Sequence, residues 1–380
     1  MEGRNWADLP DLALFSVLLS LSSLPDLFSF AGVCRAWRSF LRSAAPELYL
    51  SSRPPLLLCP PHRQPHRRVF QLSPNTTASD FRLYALDHPS TSFKSLLSNE
   101  TLATLCFGYS HGHLLLLRRP REALLADVLT GAEIHPPTLP PDRYTYYYAA
   151  LTAPPSSPDC RILLFYSRYA LLCCRLGDPY PGWTKLRLQP GVSYIARVLS
   201  FKGRIFAVDH GAKLLAFDFD PDFRVEMLKV GGLRPMPAQN RWQFGPQLVE
   251  CGGKLLLVLF FQERSRWETR VDAYRLDFER MVWAQVESLG DFSLFIDCGG
   301  RCPVSCANPG SWGGRSNCIY LAGLDCACWK QYSLDDKTWR EYSPAGKMIS
   351  SGSFPPLIDP PLLPCWPSPF WVYPSLFFGP

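Results

Sequence analysis

The chain reads as an α+β protein of two parts: a small three-helix module over residues 1–50, then a predominantly β domain over residues 51–380. The second part suits a β-propeller of five or six blades. Three observations predict this. A helical hydrophobic period runs through roughly the first 45 residues and disappears from Leu56 onward. The 37 prolines and 25 glycines disfavour long helices and favour short strands joined by turns. Finally, a pattern of turn, apolar strand, turn and second strand, often followed by a Trp, recurs with starts roughly 40–65 residues apart. At 380 residues the chain also exceeds the usual size of a single core, so one small and one large domain are expected.

The helical module comes first. Pro10 suits a first helical position, and Asp11 beside it complements the helix dipole. Leu12, Phe15 and Leu18 or Leu19 then recur at helical spacing. Ser23-Leu24-Pro25-Asp26 has the form of a capping box that starts a second helix, with Leu27, Phe30 and Ala31 as its apolar face. A third helix is expected to carry Val33, Trp37 and Leu41, with Arg35, Arg38 and Arg42 between them and Pro46 at its end. Three helices of about ten residues cannot bury all these side chains among themselves. Their surplus faces either another protein or the β domain of the same chain.

The β domain follows in units. One has Leu114–Leu117 and Ala123–Val128; the next has Ile162–Tyr166, Ala170–Arg175 and Trp183. A third has Ile205–Val208 and Leu214–Phe219, and a fourth Leu255–Phe261, Val271–Leu276 and Val282–Val286. A fifth has Cys318–Leu321, Trp329–Ser333 and Trp339, and Leu56 to Phe107 supplies a further blade. A β-sandwich pair or irregular barrel is the alternative architecture. The aromatic C-terminal stretch of Trp366, Phe370, Trp371, Tyr373 and Phe377 is too apolar for a free tail. It is expected to close the ring with a strand near Trp371 to Tyr373, ended by Pro374.

Composition narrows the function classes. Hydrophobic residues at 47% and charged residues at 19% are globular proportions. The net charge of +6 is mild, and the basic run His62 to Arg68 is short and broken by proline, so it reads as a solvated loop and not a nucleic-acid site. The apolar run Leu12 to Leu24 is flanked by Glu2, Asp8 and Asp11 against a single Arg4, which is the wrong sign for a signal peptide. Pro25 and Asp26 interrupt it, leaving it too short to span a bilayer. The 14 cysteines are therefore expected as reduced thiols in nucleus or cytoplasm, and the sequons at Asn75 and Asn99 as chance matches.

The search for reaction chemistry nominates no catalytic residue. Cys298, Cys302, Cys306, Cys318, Cys326 and Cys328 crowd together but include no Cys-x-x-Cys pair and no nearby His, so small buried thiols are expected and no metal. His111 and His113 flank Gly112 and would share one side of a strand, with a turn or strand-edge role and no completing carboxylate. Gly252-Gly253-Lys254 introduces a strand and not a helix, so it does not cradle phosphate. The clusters Arg241-Trp242 and Arg264–Trp267 fall between expected strands, as either binding anchors or ordinary blade edges. No cofactor is implied.

The residues Trp6-Ala-Asp-Leu9-Pro10-Asp-Leu12, Val17-Leu18, Leu24-Pro25-Asp26-Leu27 and Val33-Cys34-Arg35-Ala-Trp37-Arg38 resemble the F-box in order and spacing, the last group in its plant form. Further on, Gly108-Tyr-Ser-His-Gly-His-Leu-Leu and Leu129-Thr-Gly-Ala-Glu-Ile-His-Pro-Pro resemble the early part of a plant F-box-associated, kelch-like domain. Asp127-Val128 stands where that family has Asn-Pro. Leu294-Phe-Ile-Asp-Cys298, Asn317-Cys-Ile-Tyr-Leu321 and Trp371-Val-Tyr-Pro-Ser-Leu376 resemble its later blocks. The resemblance implies a non-catalytic adaptor that binds the Skp adaptor, and through it cullin and RING subunits, while its β domain holds a protein target. It implies that Leu9, Pro10, Leu18, Val33, Cys34 and Trp37 serve that contact or the packing behind it. A kelch-like scaffold acting outside a ligase, and a propeller enzyme or carbohydrate binder, are the alternatives.

Overall fold

The computed structural model describes residues 6, 9–21, 24–49, 53–60, 81–87, 92–97, 104–119, 121–141, 144–233, 241–263, 268–297, 303–322, 328–343, 346–352 and 369–375. Three helices open the chain: α1 (Asp11–Ser20), α2 (Leu24–Val33) and α3 (Arg35–Tyr49). Pro10 is the N-cap of α1 and not its first residue, and its carbonyl accepts the N–H groups of Ala13 and Leu14 at 2.9 and 3.1 Å. Two further expectations are corrected. Val33 ends α2 instead of entering the third helix, because the chain breaks at Cys34. And α3 runs three residues past Pro46, since a missing N–H so near the helix end removes only one intrahelical bond. Ser23 of the expected capping box lies outside the described residues.

Beyond the helices the chain forms six sheets arranged as six blades of a propeller, which resolves the choice between five and six. Blade two comprises Leu105–Ser110, His113–Arg119, Glu122–Asp127 and Glu133–Ile134. Blade three comprises Tyr148–Leu151, Arg161–Ser167, Ala170–Arg175 and Thr184–Arg187, and blade four Ile195–Phe201, Arg204–Asp209, Leu214–Asp218 and Arg224–Leu228. Blade five comprises Arg241–Cys251, Lys254–Glu263, Glu268–Asp277 and Val282–Val286. Among the described residues, blade six has six strands. Phe292–Asp297 pairs with Val304–Ala307 on one side and, in parallel, with Cys318–Ala322 on the other; Trp329–Ser333, Trp339–Tyr342 and Met348–Gly352 continue outward.

Blade one shows how the ring closes. Its strands Leu56–Cys59, Arg82–Tyr84 and Ser92–Lys94 are joined by Phe370–Val372, which lies antiparallel to the first of them with Leu57 opposite Trp371. The expected terminal strand is therefore present and starts one residue earlier. It removes the open edges that an unclosed ring would expose.

Each pair of neighbouring blades shares an apolar core, so the stabilising burial lies in the seams between sheets. Leu58, Leu83, Leu114 and Leu124 fill the seam from blade one to two, and Leu125, Leu139, Ile162 and Leu164 that from two to three. Phe165, Leu171, Leu215 and Phe217 fill the next, then Val208, Leu214, Leu255 and Leu257. Val258, Phe260, Leu294 and Ile319 follow, and Leu57, Phe295, Tyr320 and Trp371 join blade six back to one. The chain alternates these residues along each strand because successive side chains point to opposite faces, one toward each neighbouring blade.

The innermost strands were the part that periodicity placed poorly. Leu105–Ser110 opens blade two instead of ending the first, and four further inner strands begin ahead of the expected unit starts. These strands run close to one another near the axis and carry small residues where they do. A Cβ on Gly108 would stand 2.1 Å from the Ala149 carbonyl oxygen, so only glycine fits there.

Candidate functional site

The helical module is the best-defined candidate site, and its geometry follows from α1. That helix, Asp-Leu-Ala-Leu-Phe-Ser-Val-Leu-Leu-Ser, is apolar on more than one side, its polar residues being Asp11, Ser16 and Ser20. Leu14 and Leu18, four residues apart, turn inward and are buried with Leu27, Phe30, Ala31, Trp37 and Leu41. Leu12 and Leu19, seven apart, turn outward and are 81% and 62% exposed. Of the two expected phases, Leu12 and Phe15 with Leu18 or with Leu19, the structure fits the second: Leu19 lies on the side of Leu12, and Leu18 turns away into the core. A surface helix normally keeps one apolar stripe for its own core, and a second apolar face is a surface for something else.

The sequence-nominated residues divide between these faces. Pro10 is exposed and Val33 is 54% exposed, while Leu9 and Cys34 are half-buried at the margin. Leu18 is fully buried and Trp37 nearly so, which makes both of them part of the packing behind the surface. The Trp37 ring sits 4.6 Å from that of Phe30, and its Nε1–H donates to the Trp6 carbonyl at 3.0 Å. The Cys34 sulfur accepts the Trp37 backbone N–H at 3.4 Å, which shapes the α2–α3 corner. Leu12 and Leu19 form the outward apolar face; Trp6 is also exposed, and Val17 is exposed on another side of α1. A helical wheel puts Leu12 and Leu19 on one side and Leu14 and Leu18 on another, but does not say which side faces outward.

The propeller offers a second, polar locus on its inner strands. Arg197 of blade four is 2% exposed and reaches from blade three to blade five. Its guanidinium lies 5.7 Å from the centre of the Tyr148 ring, and Nη2 donates to Gln247 Oε1 at 2.7 Å. Nε and Nη1 have no hydrogen-bond partner among the described residues. Nothing in the sequence pattern singled out this arginine, because one charge inside an otherwise ordinary strand carries no periodic signal.

Chemistry capable of bond making is not assembled by the remaining candidates. Burial pushes the thiols of Cys160, Cys251 and Cys306 up to about 12, far from the range in which a thiolate attacks. Cys306 and Cys318 are buried strand thiols, whereas Cys298, Cys302 and Cys326 lie outside the described residues. Among the described residues, no group of three or more His, Cys, Asp or Glu side chains could hold a metal ion. His111 does not share a strand face with His113. It sits in the hairpin turn at φ 48°, followed by Gly112 at φ 79°, and its Nδ1 meets Ser110 Oγ at 2.9 Å. Burial, then the neighbouring His113, lowers its pKa to about 4, so it is neutral at physiological pH. Arg241 and Trp242 lie within the inner strand of blade five and not between strands; Arg264–Trp267 falls outside the described residues. Gly252 and Gly253 form a tight strand-to-strand turn, as expected.

Comparison with known proteins agrees with this division. The F-box domain family matches residues 6–47 and the KIB1-4 beta-propeller family matches residues 72–347. An Arabidopsis thaliana protein named as an F-box/kelch-repeat protein is 26% identical over 355 residues, spanning 84% of this chain and 87% of that one. An F-box protein of the same plant is 22% identical over 363 residues, spanning 88% and 93%. A quinonprotein alcohol dehydrogenase-like protein from Bacteroides thetaiotaomicron covers 77% of this chain and 76% of that one at 9% identity; its TM-score of 0.37 carries no argument. With three helices matching the F-box and a six-bladed ring matching the larger family over most of its length, the chain belongs to the KIB1-4 beta-propeller family and carries an F-box domain ahead of the propeller.

Proposed function

We propose that this chain is the substrate-recognition subunit of a Skp–cullin–F-box ubiquitin ligase. Its F-box binds the Skp adaptor, which brings cullin and RING subunits, and its propeller holds a protein target. The observation that carries this reading is the second apolar face of α1: Leu12 and Leu19 stand exposed on an F-box domain in which Trp6, Pro10 and Val33 are exposed as well. Such anchors are the kind of side chain in which interface energy concentrates. Leu9, Pro10, Val33 and Cys34 contribute to the contact or its margin, and Leu18 and Trp37 hold the helices that present it.

The chain itself transfers nothing in this reading. Ubiquitin transfer belongs to other subunits, and the contribution here is proximity, which raises the effective concentration of target and reactant. The assembly works in nucleus or cytoplasm. The test is co-purification of the full chain with the Skp adaptor and a cullin, alongside a Leu9→Ala, Pro10→Ala double variant and a Leu12→Glu variant. Each should weaken adaptor binding about tenfold or more, equivalent to ~1.4 kcal/mol, with the melting of the β domain unchanged. Wild-type affinity in both variants would remove the docking assignment, and adaptor capture without cullin would remove the ligase.

A further inference from the structure

The helical core is not made by the F-box alone. Tyr373, just past the closing strand of the propeller, is 4% exposed within the cluster formed by Leu14, Leu18, Leu27, Phe30 and Trp37. Val304, on the innermost strand of blade six, packs against the same cluster. The polar atoms of Tyr373 are tied in other directions. Its phenol O–H donates to the Arg53 carbonyl at 2.6 Å, its N–H donates to Tyr109 Oη at 2.7 Å, and its carbonyl accepts from that same hydroxyl at 2.5 Å. One residue thus touches the F-box core, the linker and blade two.

Arg53 adds a second strut. Its Nη2 donates to the Leu21 carbonyl beyond the end of α1 at 2.8 Å, and its Nη1 meets Asp87 Oδ2 of blade one at 3.5 Å. Leu21 and Asp87 are therefore clamped from the linker between them. A flexible tether would show neither a shared apolar core nor hydrogen bonds spanning both modules.

We infer that Tyr373 and Arg53 are positioning residues that lock the F-box to the propeller in one orientation, so that both move as a single rigid body. The joint makes closure of the ring and completion of the F-box core one event, because the same residue serves both. Its consequence for ubiquitin transfer rests on the ligase reading above: a rigid joint holds the target at a fixed place relative to the adaptor. The joint itself does not depend on that reading.

The experiment measures it in the full chain without any partner. Spin labels carried by unnatural amino acids at the exposed positions Ser39 in α3 and Glu279 in blade five report their separation by pulsed dipolar spectroscopy. The wild type should give one narrow distance distribution. Tyr373→Ala should broaden it about twofold or more, as local contacts release a module joined by few residues. Tyr373→Phe, which keeps the ring in the core, should stay near wild type, and adding Arg53→Ala to it should broaden the distribution again. Should Tyr373→Ala fail to fold, the Arg53→Ala, Tyr373→Phe pair decides, because it leaves the closing strand intact. A broad wild-type distribution, or unchanged narrow ones in the folded Tyr373→Ala and double variants, would overturn the inference. Adaptor binding is not read here, so loss of the ligase assignment would leave this result standing.

Discussion

Trp371→Ala tests whether the closing strand holds the propeller together. Trp371 is 1% exposed and lies opposite Leu57 in blade one. Its ring stands edge-on to Phe295 of blade six, centroids 5.1 Å apart at 79°. Its Nε1–H is shared between the carbonyls of Ile296 and Tyr320, at 3.0 and 3.2 Å. Truncating a buried Trp costs about 3–5 kcal/mol through lost transfer energy and the cavity left behind. A typical domain has ~5–15 kcal/mol in total, so this one side chain is a large share. Trp371→Phe should cost less, ~1–3 kcal/mol, since it keeps an aromatic ring at the seam and loses mainly the donor. Met348→Ala, on the exposed outermost strand of blade six, is the control and should stay within ~0.5 kcal/mol. Urea unfolding of the full chain followed by the far-ultraviolet β signal ranks the three. If Trp371→Ala melts within about 1 kcal/mol of wild type, the strand is an ornament and closure rests elsewhere.

Two further outcomes are expected. Arg197→Met should be neutral or stabilising in thermal melting, because it removes a buried cation that has no carboxylate partner among the described residues; a loss above ~2 kcal/mol would show that its Gln247 and Tyr148 contacts outweigh desolvation. Stability should also fall on the alkaline side. Burial raises the thiols of Cys160, Cys251 and Cys306 from 9.0 to about 12, and those of Cys173, Cys174 and Cys318 to about 11. The unfolded chain then sheds these protons first, so their contribution is complete below pH 9 and is lost as pH rises through 11 to 12. A melting temperature that stays flat from pH 8.5 to 10.5 would contradict that burial.

Much of this architecture could be read from residue pattern, and the exceptions share a physical cause. Lys254–Glu263, Glu268–Asp277 and Val282–Val286 of blade five appear almost as their apolar runs predict: the first two feed two seams and carry apolar residues on both sides, and the third is anchored by buried Trp283. The inner strands escaped because their geometry is set by the neighbouring blade and not by their own period. Gly108 weakens Leu105–Ser110 as a strand signal, yet is required by its approach to Ala149. The F-box divides in the same way. Its motif names the right module but not which side chains face outward, because an amphipathic helix shows one stripe and α1 has two. Leu18 and Trp37 are motif residues and yet lie inside; Leu12 and Leu19 lie outside on the strength of a phase that only the packing of α2 and α3 fixes.

Tyr373 was expected to close the ring, but no local pattern could assign it to the helical core as well. Its partner Tyr109 is 264 residues away and Arg53 is 320 away. Contacts of such separation form late, because loop-closure entropy opposes them until most of the intervening structure is in place. Residues 1–50 taken alone therefore lack one wall of their core, and Leu14, Leu18 and Trp37 would be partly open to water where Tyr373 now covers them. A fragment of that length should bind an adaptor only by having the adaptor supply the missing burial. In the whole chain the burial is already supplied from within, so the adaptor meets a preformed surface and less of its binding energy is spent on ordering it. If the ligase reading proposed above holds, the propeller has two physical roles: it carries the face that meets a target, and through Tyr373 it finishes the module that meets the adaptor.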